Sequence, residues 1–206
     1  MDRDHAGGLS RRELITGTAA ASAFAVLSAG GALSAGEARA ETPPPDDATL
    51  LSKALEYERL TVLAYEHLVT LSALTAHERH VLRTLQRQDR AHARALEAQM
   101  TARGVALAPP PSGLSAVDQA LSAKGMSGGL ADATTLKQAV TLLLDIEALA
   151  LGGYYMIIRD ASDAALALRA AQAMGNDAQH STLLTELVAP GKITETVPNW
   201  YVTGVT

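Results

Sequence analysis

Ala173-Met174-Gly175-Asn176-Asp177-Ala178-Gln179-His180 is the stretch on which the reading of this chain turns. Placed on a helix, Leu166, Ala170, Ala173, Asp177, His180, Leu184 and Leu187 share one face. Apolar residues at that spacing mark the buried stripe of an amphipathic helix. Asp177 and His180 interrupt the stripe. A carboxylate inside it is costly unless it is paired or holds a metal. One turn separates the two side chains, so both can face the same point in a helical core. By itself the pair fits a hydrogen-bonded core contact as well as it fits half of a metal site.

The pattern occurs twice. Asp89-Arg90-Ala91-His92 interrupts an earlier stripe made of Val81, Leu85, Leu96 and Met100. A helical stretch with an inward glutamate precedes each pair. Glu58 has Tyr65 one heptad on, and Glu147 has Tyr154 one heptad on. The chain therefore reads as a duplicated helical hairpin, with one Glu, one Asp and one His in each half. The candidate metal ligands are Glu58, Asp89, His92, Glu147, Asp177 and His180, with Tyr65 and Tyr154 as candidates to support them. Inward carboxylates with two imidazoles are the donor set of dinuclear iron or manganese bundles.

Composition narrows the alternatives. A chain of 206 residues allows one domain with appendages. Alanine and leucine dominate while glycine and proline cluster between the periodic stretches, which favours an all-α fold. The formal net charge of -5, with no basic patch, argues against nucleic acid as a partner. The absence of cysteine excludes disulfides, thiolate metal sites and iron–sulfur clusters, and leaves only oxygen and nitrogen ligands.

Taken in order, residues 1–40 read as a targeting segment. Ser10-Arg11-Arg12-Glu13-Leu14-Ile15 resembles a twin-arginine export motif, a weakly apolar run follows, and Ala38-Arg39-Ala40 fits a cleavage site. The expected mature protein begins at Glu41 and is extracytoplasmic, periplasmic or secreted, with no membrane anchor after cleavage. Residues 41–47 form a polar, proline-rich flexible leader. The first helix is expected over 48–73, capped by Asp46 or Asp47, with Glu56 and Glu66 solvated. Thr75 and Glu78 form a capping box for the second helix, which stops at Gly104. Its arginines Arg79, Arg83, Arg87, Arg90 and Arg94 read as a solvated face. Residues 105–133 carry Pro109-Pro110-Pro111 and form a long crossover, with a short helix expected over 116–124. The third helix spans about 134–159 and carries Gly152-Gly153, which a close crossing or a local distortion would explain. The fourth ends near Val188, and the tail, residues 189–206, holds Trp200 as a packing anchor. His67, His77 and His80 lie off the stripes and read as surface residues.

These residues resemble the ferritin-like superfamily, and the resemblance covers residues 48–188. It implies a four-helix up-down bundle with one long crossover between the second and third helices. In that family the first and third helices each supply a Glu with a Tyr one heptad on, matched by Glu58/Tyr65 and Glu147/Tyr154. The second and fourth each supply Glu-x-x-His. His92 and His180 match, whereas Asp89 and Asp177 stand where the metal-bridging glutamates are usual. With aspartate one methylene shorter, the site holds two metals at altered spacing, one metal, or none. Bacterial exported proteins with a ferritin-like domain are the group this chain looks most like.

The resemblance implies two iron or manganese ions and the handling of iron, oxygen or peroxide. An enzyme of this kind would be a non-haem dimetal oxidoreductase. Iron storage would need a cage of subunits, and homo-oligomerisation is compatible with the pattern. Fold alone does not choose among these activities. The rival reading is a metal-free helical bundle, a binding or envelope-stress module, whose Glu, Asp and His share protons with Tyr65 and Tyr154.

Overall fold

The structure, a computed structural model, describes residues 45–126, 129–192 and 196. The expected signal peptide, the leader before residue 45 and Trp200 lie outside the described residues. Five α-helices are present, with no strand among the described residues: α1 (Asp47–Leu68), α2 (Ala76–Ala102), α3 (Leu114–Ser122), α4 (Leu136–Asp160) and α5 (Ala164–Val188). A 3-10 turn, Leu130–Asp132, stands between α3 and α4.

The helix starts are fixed by side-chain caps. Asp46 accepts from the Thr49 amide at 2.7 Å, so Asp47 belongs to the helix and not to the leader. Thr75 with Glu78 and Thr135 with Gln138 form reciprocal capping boxes at the starts of α2 and α4. Asp163 accepts from the Ala165 amide at the start of α5. Helix α1 ends at Leu68, short of the expected residue 73, where Val69–Leu74 turn through Thr70→His67 and Leu71→Leu68 backbone bonds.

Arg79 corrects the reading of the arginine run. It is half-buried and donates to the carbonyls of Val69, Leu71 and Leu74, so it ties down the α1–α2 connection. Glu66 is paired with Arg90 at the surface. His67 is likewise no plain surface residue: it is half-buried, and its Nε2 lies 3.1 Å from the Leu130 carbonyl. His77 and His80 are exposed.

Helix α1 packs on α2 and α4, and α4 on α5, while α2 and α5 meet more sparingly. Gly153 explains part of the Gly152-Gly153 pair. A Cβ there would stand 3.0 Å from Tyr57 Cδ2 and 3.2 Å from Ala54 Cα, so the glycine permits a close approach of α4 to α1. Gly152 meets nothing within 4 Å. Helix α4 alone among the described helices is long and apolar enough to cross a membrane. In the fold, Val140, Leu143, Ile146, Ala150 and Ile157 of that helix are buried in the protein core.

The interior has two apolar clusters. One gathers Leu60, Leu68, Leu82, Leu85, Leu143, Ile146 and Leu184. The other gathers Leu51, Leu55, Leu96, Met100, Ile157 and Leu166. Along every long helix the buried acidic residues fall between members of the first cluster and members of the second.

Candidate metal centre

Six polar side chains meet in that layer. Glu58 comes from α1, Asp89 and His92 from α2, Glu147 from α4, and Asp177 and His180 from α5. Asp89, Glu147, Asp177 and His180 are each 0% exposed, and Glu58 is 1% exposed. His180 Nδ1 stands 3.1 Å from Asp89 Oδ1, 3.2 Å from Glu147 Oε1 and 4.0 Å from Asp177 Oδ1. His92 Nδ1 stands 3.1 Å from Asp177 Oδ1 and 3.5 Å from Glu58 Oε1. The two imidazoles are stacked, with centroids 6.4 Å apart and planes 14° from parallel.

The six fall into two overlapping groups. Asp89, Glu147, Asp177 and His180 form one, and Glu58, His92 and Asp177 the other, with ligand-type atoms within 4.8 Å of one another in each. Asp177 belongs to both. The groups cross the duplication: His92 and Glu58 of the first half meet Asp177 of the second. The tyrosines cross it too. Tyr65 Oη donates to Glu147 Oε1 and Tyr154 Oη donates to Glu58 Oε1, each at 2.7 Å. Neither half therefore closes its own site.

The donor chemistry can be tested against a metal. Six carboxylate oxygens are buried without a hydrogen-bond partner: Glu58 Oε2, both oxygens of Asp89, Glu147 Oε2 and both oxygens of Asp177. His92 Nδ1 is also buried and outside hydrogen-bond geometry. An unpaired buried polar atom costs about 1–3 kcal/mol, and more when charged. A folded protein rarely leaves several together. A cation lying among them would satisfy all at once, and hard oxygen donors with imidazole suit iron or manganese. The residues present fit a metal centre.

Without a cation the site holds protons instead. Burial pushes Glu58 up to about 8, and Glu147 up to about 7, against the opposing pull of their histidines. Burial likewise raises Asp89. Burial alone would lower His92 and His180, but the carboxylates beside them, Asp177 and Glu58 for His92 and Asp89 and Glu147 for His180, carry both to about 10. Tyr65 and Tyr154 are raised by burial and the nearby carboxylates, so both stay as hydroxyl donors.

One further residue shapes the site and has no place in the sequence reading above. His180 Nε2 lies 2.7 Å from Gln88 Oε1, and there the imidazole donates. This bond fixes the ring and leaves Nδ1 facing the carboxylates, as a second partner commonly does for a metal-binding histidine. Gln88 immediately precedes Asp89, and the equivalent residue before Asp177 is Asn176. That residue is one methylene shorter. Among the described residues, the Asn176 side chain makes no hydrogen bond and neither does His92 Nε2. His180 is 1% exposed in its side chain and His92 is 17% exposed. The duplicated site is sealed on one side and open on the other.

Residues 46–190 match the ferritin-like domain family. The chain belongs to that family. No curated protein and no solved structure matches the chain. For this ferritin-like chain, the helical fold and a buried cluster of acidic residues and histidine that could hold a metal stand together.

Proposed function

We propose that this is an exported ferritin-like protein whose four long helices form an antiparallel-paired bundle around two iron or manganese ions. The two apolar clusters support helix directions in the order up, down, down, up, with the long crossover joining the parallel α2 and α4. The first half of α1 shares a cluster with the second halves of α2 and α4 and the first half of α5. In this reading Glu58 and His92 would hold one ion, Glu147, His180 and Asp89 would hold the other, and Asp177 belongs to both groups. The observation that carries it is the set of six buried carboxylate oxygens without partners at the meeting point of four helices. Glu58 and Glu147 each keep one oxygen committed to a tyrosine hydroxyl, which orients the other inward. Gln88 holds His180 in the tautomer that leaves Nδ1 for ligation. When bound, a redox-active pair of this kind would supply electron exchange with iron, dioxygen or peroxide as a non-haem oxidoreductase.

Metal analysis of protein from its native host, with thermal melting in anaerobic ferrous or manganous ion, tests the reading. Metal in the purified protein and a metal-dependent rise in Tm are expected. If neither is seen, the metal-free bundle is the better description. Export by the twin-arginine route rests on Arg11, Arg12 and Ala38-Arg39-Ala40. Its test is the intact mass of the exported chain, expected to begin at Glu41; uncleaved chain in the membrane fraction refutes it.

A further inference from the structure

The open side of the centre leads into a cleft of about 320 Å³ between α2, α4 and α5. His92 and Tyr154 form part of its wall, and Leu96, Ile157, Leu166 and Ala170 supply most of the rest. It opens where α2 and α5 pack sparingly. The lining holds no carboxylate and one permanent cation, Arg169. Arg169 is exposed, is the sole Lys or Arg of α5, and makes no ion pair or hydrogen bond among the described residues. The other arginines with an anionic neighbour, such as Arg59, Arg90 and Arg103, are already engaged.

We infer that this cleft is the substrate port of the centre, and that it takes a small amphiphilic monoanion with an apolar tail. Its anionic head sits on Arg169 and its tail runs over the apolar wall to His92. The inference rests on the proposed metal centre for its catalytic meaning but not for binding. Arg169 precedes Asp177 by two helical turns, about 12 Å at ~1.5 Å per residue. The cleft volume lies at the lower end of the range of small-ligand sites. Both measures suit a chain of about eight carbons ending in a carboxylate. The charge selects an anion, the apolar wall selects the tail, and the unpartnered Nε2 of His92 marks the inner end. Arg169 is exposed at the mouth and the wall behind it is apolar, so the head belongs outside.

Calorimetry on the full chain, metal-free, with octanoate and with octylammonium as the opposite-charge control, tests the binding. Octanoate is expected to bind one per chain and octylammonium more weakly. Arg169→Gln should weaken octanoate about three- to tenfold, the range for an exposed charge-assisted contact. Ala95→Trp, which fills the exposed lip without touching the core, should abolish binding with an unchanged Tm. Equal binding of the two probes, or octanoate affinity untouched by both variants, overturns the inference.

The same titration on manganese-loaded protein reads the paramagnetic spectrum. A change that saturates with octanoate supports a port opening on the centre, and binding without spectral change overturns the port. A chain that takes up no metal but binds octanoate with this order of variants supports the cleft as an anion site and refutes the metal centre. A chain that takes up metal but binds neither probe refutes the cleft and leaves the centre standing.

Discussion

Asp177 is shared by both ligand groups, whereas Glu58 belongs to one, and this difference sets the sharpest test of the metal reading. Binding to the native state adds RT ln(1 + [L]/Kd), about 2.7 kcal/mol for one ion at a hundredfold excess over Kd. A domain of this size shifts its Tm by roughly 2–4 °C per kcal/mol. One ion should therefore raise Tm by about 5–11 °C, and two by about twice that. Glu58→Gln removes one carboxylate from the Glu58–His92–Asp177 group and leaves Asp89, Glu147, Asp177 and His180 intact. It should keep about one ion and about half of the shift. Asp177→Asn removes the group common to both and should lose both ions and nearly all of the shift.

The assay is metal content after anaerobic loading and desalting, beside differential scanning calorimetry with and without ferrous or manganous ion. The comparison is metal-loaded against metal-free for each variant. Loss of stability in the metal-free protein says little, since leaving a buried histidine unpaired also costs several kcal/mol. Equal metal loss in Glu58→Gln and Asp177→Asn, or full stoichiometry in Asp177→Asn, would refute the shared position of Asp177.

Two other outcomes follow from the packing and the titrations. Gly153→Ala should destabilise by about 1–3 kcal/mol, because its Cβ would press on the Ala54 backbone at 3.2 Å. Gly152→Ala should stabilise by up to about 1 kcal/mol, since nothing stands within 4 Å, and denaturant melts read both. In the metal-free protein Glu58 and Glu147 titrate higher folded than unfolded, as do His92 and His180. The folded state then binds more protons. The carboxyl contribution, greatest below about pH 4.5, is lost as pH rises through about 8. The histidine contribution is present below about 6.5 and lost through about 10. Metal-free stability should fall from about pH 5 to 10, while the gap to metal-loaded protein widens with pH because ligation displaces protons. A metal-free Tm that rises across that range would contradict the site's protonation.

Helices were legible where apolar periodicity was unbroken, and the centre was legible where it was broken. Glu58, Asp89, Glu147, Asp177 and His180 interrupt stripes that are otherwise buried, and they meet at one place. Residues that act through backbone groups leave no such mark. Arg79 bonds three loop carbonyls and His67 contacts the Leu130 carbonyl, yet both lie among ordinary polar positions in the sequence. Gln88 is half-buried beside the stripe, and its signal was available only by laying the two halves over each other. The cleft was not legible, because it arises from loose packing of α2 on α5 and not from any one residue type.

That overlay also gives the last prediction. The two halves supply equivalent Glu, Asp, His and Tyr residues, and the tyrosine bonds are equal in length at 2.7 Å. The symmetry fails at Gln88 and Asn176. Gln88 reaches across the core to His180 Nε2, while Asn176, one methylene shorter, makes no equivalent bond to His92. His92 lines the cleft, and its Nε2 makes no hydrogen bond among the described residues. Asn176→Gln should restore the missing bond and seal the second side. His92 is charged in the metal-free protein, and a hydrogen bond from a charged group is worth about 1.5–3 kcal/mol, a factor of about ten to a hundred in an opening equilibrium. Exchange of the His92 Nε2 proton with water, read by NMR in metal-free protein, should slow by about that factor. Loss of metal to a chelator should slow similarly, with stoichiometry unchanged. If neither rate moves, chain length at position 176 does not decide the asymmetry, and the open face of the centre has another cause.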